Sequence, residues 1–260
     1  MELLNLDIAG LIHACMIVCP LVFLAGFIDS IAGGGGLIAT PAYMLAGLPM
    51  HSVLGTNKAM SMFGTSVAAW KYIKSGNINW HAAIVAAIGS FAGSALGSQV
   101  ALRINADTLK TVFVFILPVV AIFVLFGKKK SDKEALMLTG FKLNLVAFMV
   151  GVVTGAYDGL IGPGAGTFMI IGFNMLVGLD YIKSGGCAKV VNLASNVSAF
   201  ISFVMAGQVI WALAIPAAIF SMAGNLLGSS YAIKHGSGLV KKVMIFVLIG
   251  IFIKLAIDVL

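Results

Sequence analysis

Asp29-Ser-Ile-Ala-Gly33-Gly34-Gly35-Gly36-Leu-Ile-Ala-Thr40-Pro41 interrupts an apolar run that begins at Ile8. Four consecutive glycines have no place inside a helix, where each costs about 1 kcal/mol relative to alanine. They end the helix and free backbone N–H groups. The apolar stretch that follows, Leu37 to Leu48, falls short of the roughly 20 residues a spanning helix takes. The pattern therefore predicts a span, a break and a half-helix or strongly tilted short helix. A second stretch repeats the device. Asp158-Gly159-Leu-Ile-Gly162-Pro163-Gly164-Ala165-Gly166-Thr167 closes one apolar run and opens another short one, Thr167 to Leu179. Pro163 reinforces this break, because it lacks an N–H and fixes its own φ.

The rest of the chain says which solvent tolerates such breaks. Of 260 residues, 60% are hydrophobic and 10% charged, and mean hydropathy is +1.08. A soluble domain carries about 25% charged residues, so the lipid bilayer is the natural environment and the fold class is an all-α polytopic membrane protein. The 31 glycines suit helices that approach closely in lipid. The net charge of +7 lies in a few short loops, as membrane topology demands, and not in a patch for nucleic acid. Three cysteines make no disulfide framework and read as packing residues. The four histidines have no ligand spacing, and no P-loop, dinucleotide fingerprint or nucleophilic triad is present, so neither cofactor, metal nor enzymatic activity is expected.

The apolar runs are Ile8–Ile31, Ala59–Ile73, Trp80–Leu102, Leu109–Phe126, Leu143–Ile161, Val190–Met205, Val209–Ile233 and Leu239–Leu260, besides the two short ones. The two halves of the chain align at an offset of about 130. Gly55, Lys58, Gly76, Trp80, Gly93 and Gly97 match Gly186, Lys189, Gly207, Trp211, Gly224 and Gly228 without a gap. Residues 1–130 and 131–260 thus read as two repeats of about five membrane segments each, a recurrent plan in transporters. Lys71 and Lys74 precede Trp80, whereas the equivalent loop before Trp211 is uncharged; Lys234, Lys241 and Lys242 then fill the next loop of the second half. With the central lysines Lys128, Lys129, Lys130, Lys133 and Lys142, these place equivalent loops on opposite sides of the membrane. Arg103 and Lys110 oppose the assignment. The repeats are expected to be inverted, with both termini outside.

Two constellations could carry function. A glycine break followed by a half-helix N-terminus presents unpaired N–H groups and the positive end of a dipole, a cradle for an anion. This singles out Gly33, Gly34, Gly35 and Gly36 in the first half and Gly162, Pro163, Gly164, Gly166 and Thr167 in the second. The alternative is close helix packing through small residues. The second constellation is Thr56-Asn57-Lys58 and its partner Lys189, followed by Asn192 and Asn196, four apart on one helix face. Both lysines stand where an apolar run begins and are expected near helix N-termini, either snorkelling to the interface or facing a cavity. Asp29 and Asp158 are carboxylates set in apolar segments. They are candidates for proton coupling, for capping freed N–H groups, or for neutralising the lysines, in chain order Lys58 with Asp29 and Lys189 with Asp158. A small anion and the bilayer are the expected partners; a channel or a membrane scaffold subunit are the competing functional readings, and monomer and homodimer both stay open.

Asp29-Ser-Ile-Ala-Gly-Gly-Gly-Gly36 and Thr56-Asn57-Lys58 resemble the TauE/SafE sulfite exporter family, especially its YfcA-like branch. In the second half the resemblance rests on Tyr157-Asp158-Gly159, Gly162-Pro163, Gly166, Ala188-Lys189, Asn192, Ser195-Asn196 and Trp211. It covers essentially the whole chain. It implies a transporter of the bacterial inner membrane for sulfite, sulfonates or other small organic anions.

Overall fold

The computed structural model describes residues 8–126 and 138–235, all of it helix and short connections. The central lysine cluster from Lys128 to Lys133, the boundary between the two halves, and the last apolar run, Leu239–Leu260, lie outside the described residues. In chain order the helices are α1 (Ile8–Ala32), α2 (Gly36–Leu45), α3 (Met50–Lys74), α4 (Trp80–Arg103), α5 (Ala106–Phe126), α6 (Gly140–Leu160), α7 (Ala165–Ile171, continued as a π-helical turn over Gly172–Val177), α8 (Tyr181–Met205) and α9 (Trp211–His235). Five of them, α1, α4, α6, α8 and α9, are long and apolar enough to cross a membrane. The two short apolar stretches are the short helices α2 and α7, as the glycine breaks require.

Burial along α4 is inverted relative to a helix of a soluble protein. On α4 the buried face is Ala82, Ala83, Ala86, Gly89, Ser90, Gly93, Ser94, Gly97, Ser98 and Ala101, while Ile84, Ile88 and Phe91 point outward. Large apolar side chains outside and small or hydroxylated ones inside is the arrangement that lipid favours, because helices there gain nothing by hiding leucine and gain contact by approaching closely.

Glycines set the closest approaches. A Cβ at Gly93 or Gly97 of α4 would meet the carbonyl oxygens of Val152 and Ala156 on α6. A Cβ at Gly224 or Gly228 of α9 would meet those of Phe23 and Phe27 on α1. Gly93 and Gly224, like Gly97 and Gly228, stand 131 positions apart, and their partners stand 129 apart. The same exchange links Gly55 to the Gln208 carbonyl and Gly186 to the Asn77 carbonyl. Each half therefore clasps the other through matched positions, α4 against α6 and α1 against α9, with α3 and α8 crossing between them.

Local signals explain the helix starts. The Asn79 side chain accepts from the Ala82 N–H at 3.1 Å, and Asp180 accepts from the Lys183 N–H at 2.8 Å; both are N-caps. Helices α3 and α8 close on Gly76 (φ +72°) and Gly207 (φ +68°), a left-handed conformation that glycine adopts without a Cβ penalty. These caps also correct one expectation. Helix α3 starts at Met50 and α8 at Tyr181, so Lys58 and Lys189 sit about 12 Å inside their helices and not at the N-termini. The apolar runs begin after the lysines, whereas the helices begin two turns earlier.

The seam makes a direct prediction. Gly93→Val sets two methyls against the α6 backbone, which cannot rotate away, and should lower stability by about 1–3 kcal/mol. Gly76→Asn meets open space in a conformation Asn tolerates and should cost less than 1 kcal/mol. Melting temperatures of the two variants in detergent check the contrast; equal losses would contradict the seam.

Candidate functional site

Helices α1 and α6 end in the same way. After Ala32 the chain turns through Gly33 (φ +78°), and after Leu160 it turns through Gly162 (φ +93°). Neither position suits an L side chain. The two breaks lie against each other: a Cβ on Gly33 would strike the Gly166 and Thr167 backbone, and one on Gly36 would approach Pro163. The Thr167 N–H donates to the Gly33 carbonyl at 3.2 Å, and its hydroxyl donates to the Ala32 carbonyl at 2.6 Å. Other carbonyls of the last α1 turn are met by Tyr72 Oη on Ser30 (3.2 Å) and Tyr181 Oη on Ile31 (3.4 Å). The first break is thus held by side chains from three other helices. On the second, Tyr157 Oη donates to the Pro163 carbonyl at 2.6 Å.

Beside the breaks the two buried lysines meet the two carboxylates, and they do so across the halves. Lys58 Nζ donates to Asp158 Oδ1 at 2.7 Å, with both side chains buried. Lys189 Nζ donates to Asp29 Oδ2 at 2.7 Å and also to the Asp29 carbonyl. The chain-order pairing of Lys58 with Asp29 and Lys189 with Asp158 is therefore corrected: each half neutralises the other's charge. Neither lysine snorkels, since Lys58 is 2% and Lys189 0% exposed.

The pairs are not equally enclosed. Asp158 uses both oxygens, its Oδ2 accepting from Ser195 Oγ at 2.5 Å. The Asp29 side chain stays 18% exposed, and its Oδ1 accepts only a long bond from the Gly35 N–H at 3.3 Å. Lys58 gives a second hydrogen bond to Asn196 Oδ1 at 3.2 Å. Asn196 in turn donates to Asn192 Oδ1 (2.8 Å) and to Thr65 Oγ1 (3.2 Å), tying α8 to α3.

A cavity of about 40 Å³ opens among these groups. One water needs about 10–15 Å³ on such a measure, so the space is that of a few waters. Of the residues singled out from sequence, Gly33, Gly35, Gly36, Asn57, Lys58, Gly162, Gly166, Asn192 and Asn196 line it, together with Asp29 and Asp158. Gly34, Thr56, Pro163, Gly164, Thr167 and Lys189 do not line it. Thr56 Oγ1 accepts from the Ile210 N–H at 3.1 Å, Thr167 staples the breaks, and Lys189 backs Asp29. Ser61, Thr65, Ser221 and Asn225 also line the cavity, and sequence reading missed them. Their signal was present: Ser61 and Thr65 stand 131 positions before Asn192 and Asn196, and Ser221 and Asn225 are four apart on one helix face.

The crossed pairing yields a stability test. Lys58→Met leaves Asp158 buried without its cation and should cost about 3–5 kcal/mol. Adding Asp158→Asn should recover most of the lost melting temperature, while adding Asp29→Asn should recover none. Recovery by Asp29→Asn instead would contradict the crossed arrangement.

Comparison with known proteins gives the same architecture a family. Residues 18–255 match the model of the family described as "Sulfite exporter TauE/SafE". A Sinorhizobium protein named "Probable membrane transporter protein ORF9" is 37% identical over 240 residues, covering 91% of this chain and 90% of that protein. "Probable membrane transporter protein YfcA" of Escherichia coli K12 is 32% identical over 229 residues, covering 86% and 82%. A Haemophilus influenzae "Probable membrane transporter protein" is 32% identical over 223 residues, covering 86% and 87%. No solved structure matches the chain. With its glycine-broken helices, its lipid-facing apolar surface and a family match over nearly its whole length, the chain belongs to the TauE/SafE family of integral membrane transporters, which are not enzymes.

Proposed function

We propose that this protein is a secondary transporter of small anions, with sulfite, sulfonates and related sulfur-containing organic anions as its substrate class. The observation that carries the reading is Lys58. It is a buried cation in the lining of a small cavity, with Asp158 and Asn196 taking two of its three N–H donors. The remaining donor, the Asn192 amide and the first turn of α2, a ten-residue helix whose N-cap Gly35 and first residue Gly36 line the same space, supply what an oxyanion needs. The cavity volume suits an anion of a few heavy atoms. The sulfur class rests on the family's description.

Transport follows from the fold as we read it. Residues 1–130 and 131–260 form two inverted repeats in a bacterial inner membrane, both termini outside, and one half rocks against the other about the shared site. The exchanged glycine contacts and the crossed ion pairs support this, because both are contacts that a two-fold relation between halves would generate. The same reading gives the anion its place at the α3–α8 crossing, where each half contributes one wall.

Purified protein in proteoliposomes should take up radiolabelled sulfite or a short alkylsulfonate at carrier rates. Lys58→Met with Asp158→Asn should keep a near-native melting temperature and lose uptake at least about tenfold, the loss expected for removing one charged hydrogen bond. Full uptake by this double variant would remove Lys58 from the substrate site. Single-channel currents would replace the carrier with a pore.

A further inference from the structure

The four charges around the cavity, Lys58, Lys189, Asp29 and Asp158, sum to zero. A monovalent anion such as a sulfonate or hydrogensulfite that enters alone leaves one uncompensated negative charge in a low-dielectric interior, which burial makes costly. Another part of the lining offers a remedy. Asn225 is 2% exposed. Its Nδ2 donates to the Ser221 carbonyl at 2.9 Å. That bond fixes the amide, because turning it over would set two oxygens against each other. Asn225 Oδ1 is therefore held on the other side, buried and without a hydrogen-bond partner in the protein. Asn57 Oδ1 is likewise buried without a partner. Both residues line the cavity with Asp29, Ser61 and Ser221. This part of the lining carries the Asp29 carboxylate, two amides and two hydroxyls, and Lys58, the cation beside it, is held by Asp158 and Asn196.

We propose that the wall built by Asp29 of α1, Asn57 and Ser61 of α3, and Ser221 and Asn225 of α9 is a sodium site, filled together with the anion. An all-oxygen donor set selects a hard cation. A single carboxylate, already shared with Lys189, suits one positive charge and not two, since divalent sites gather more negative ligands. A proton would occupy Asp29 alone and leave the amide oxygens bare. Sodium restores the neutrality that the anion breaks, so the two ions bind more tightly together than apart. The coupling rests on the anion-transporter reading; the cation site does not.

The test begins without any sulfur anion. Melting of the full-length protein in detergent is compared in sodium, potassium and choline chloride at one ionic strength. Sodium at about a hundred times its Kd should raise Tm by roughly 5 °C over the other two salts. Asn225→Ala should keep a Tm in potassium chloride close to wild type and lose the sodium-specific rise; Asn225→Ser, the residue found at the matched position Ser94, serves if the alanine variant folds poorly. Equal Tm in the three salts overturns the site, as does a full sodium response in both variants. In proteoliposomes an inward sodium gradient should then accelerate sulfite uptake at least about tenfold over a pH gradient of equal size. Sodium stabilisation without anion uptake keeps the cation site and sinks the anion reading. Uptake driven by a pH gradient alone, with no sodium effect, does the reverse.

Discussion

Two lysine–aspartate pairs, each made by one half of the chain with the other, are the constraint on which the rest of the structure depends. A buried ion pair is a poor source of net stability, because desolvation of both charges offsets their attraction. Breaking one is expensive, however, and that asymmetry gives the crossed pairs their use. Lys58 is stable in the interior only while α6 delivers Asp158, and Lys189 only while α1 delivers Asp29. Each lysine meets its carboxylate in the other half. The pairs therefore specify which faces of α3 and α8 meet and hold the two glycine breaks side by side.

The breaks and the seams serve that placement. Helices can bring a carboxylate beside a lysine at the centre of a bundle only if backbones approach closely, and the glycines of α4, α6 and α9 permit it. Ending α1 and α6 at Gly33 and Gly162 then turns the chain away just after each aspartate, so that a short helix and a cavity fit where a continuous helix would fill the space. The free carbonyls at the end of α1 would be costly in lipid. Tyr72, Tyr181 and Thr167 meet them, and this explains why Thr167, a residue of the second glycine motif, works as a staple and not as lining.

Much of this was legible in the sequence, for physical reasons. Glycine runs, proline and hydropathy report on local backbone and solvent, so the membrane class, the two breaks and the short helices α2 and α7 could be read directly. The lysines were misplaced because hydropathy marks a helix as starting where charge stops, while helices start at their caps; Asp180 was a visible N-cap for α8. Which aspartate each lysine meets could not be read, since chain order carries no information on how the halves face each other. Ser221 and Asn225 on α9 carry the same four-residue spacing as Asn192 and Asn196, a signal present in the sequence. Burial without a partner, the property that makes Asn225 and Asn57 notable, exists only in three dimensions.

Together these features describe a small, charge-balanced, glycine-walled cavity between two halves, which we propose holds an anion against a lysine that the opposite half keeps in place. The central claim is where that anion sits. Selenite, the selenium analogue of sulfite, can be located by its anomalous scattering in crystals of the full-length protein. The account predicts a selenium peak inside the cavity, with a selenite oxygen within hydrogen-bonding distance of Lys58 Nζ and the Lys58–Asp158 pair still formed. Selenium found only at surface lysines, with the cavity holding none, would contradict it.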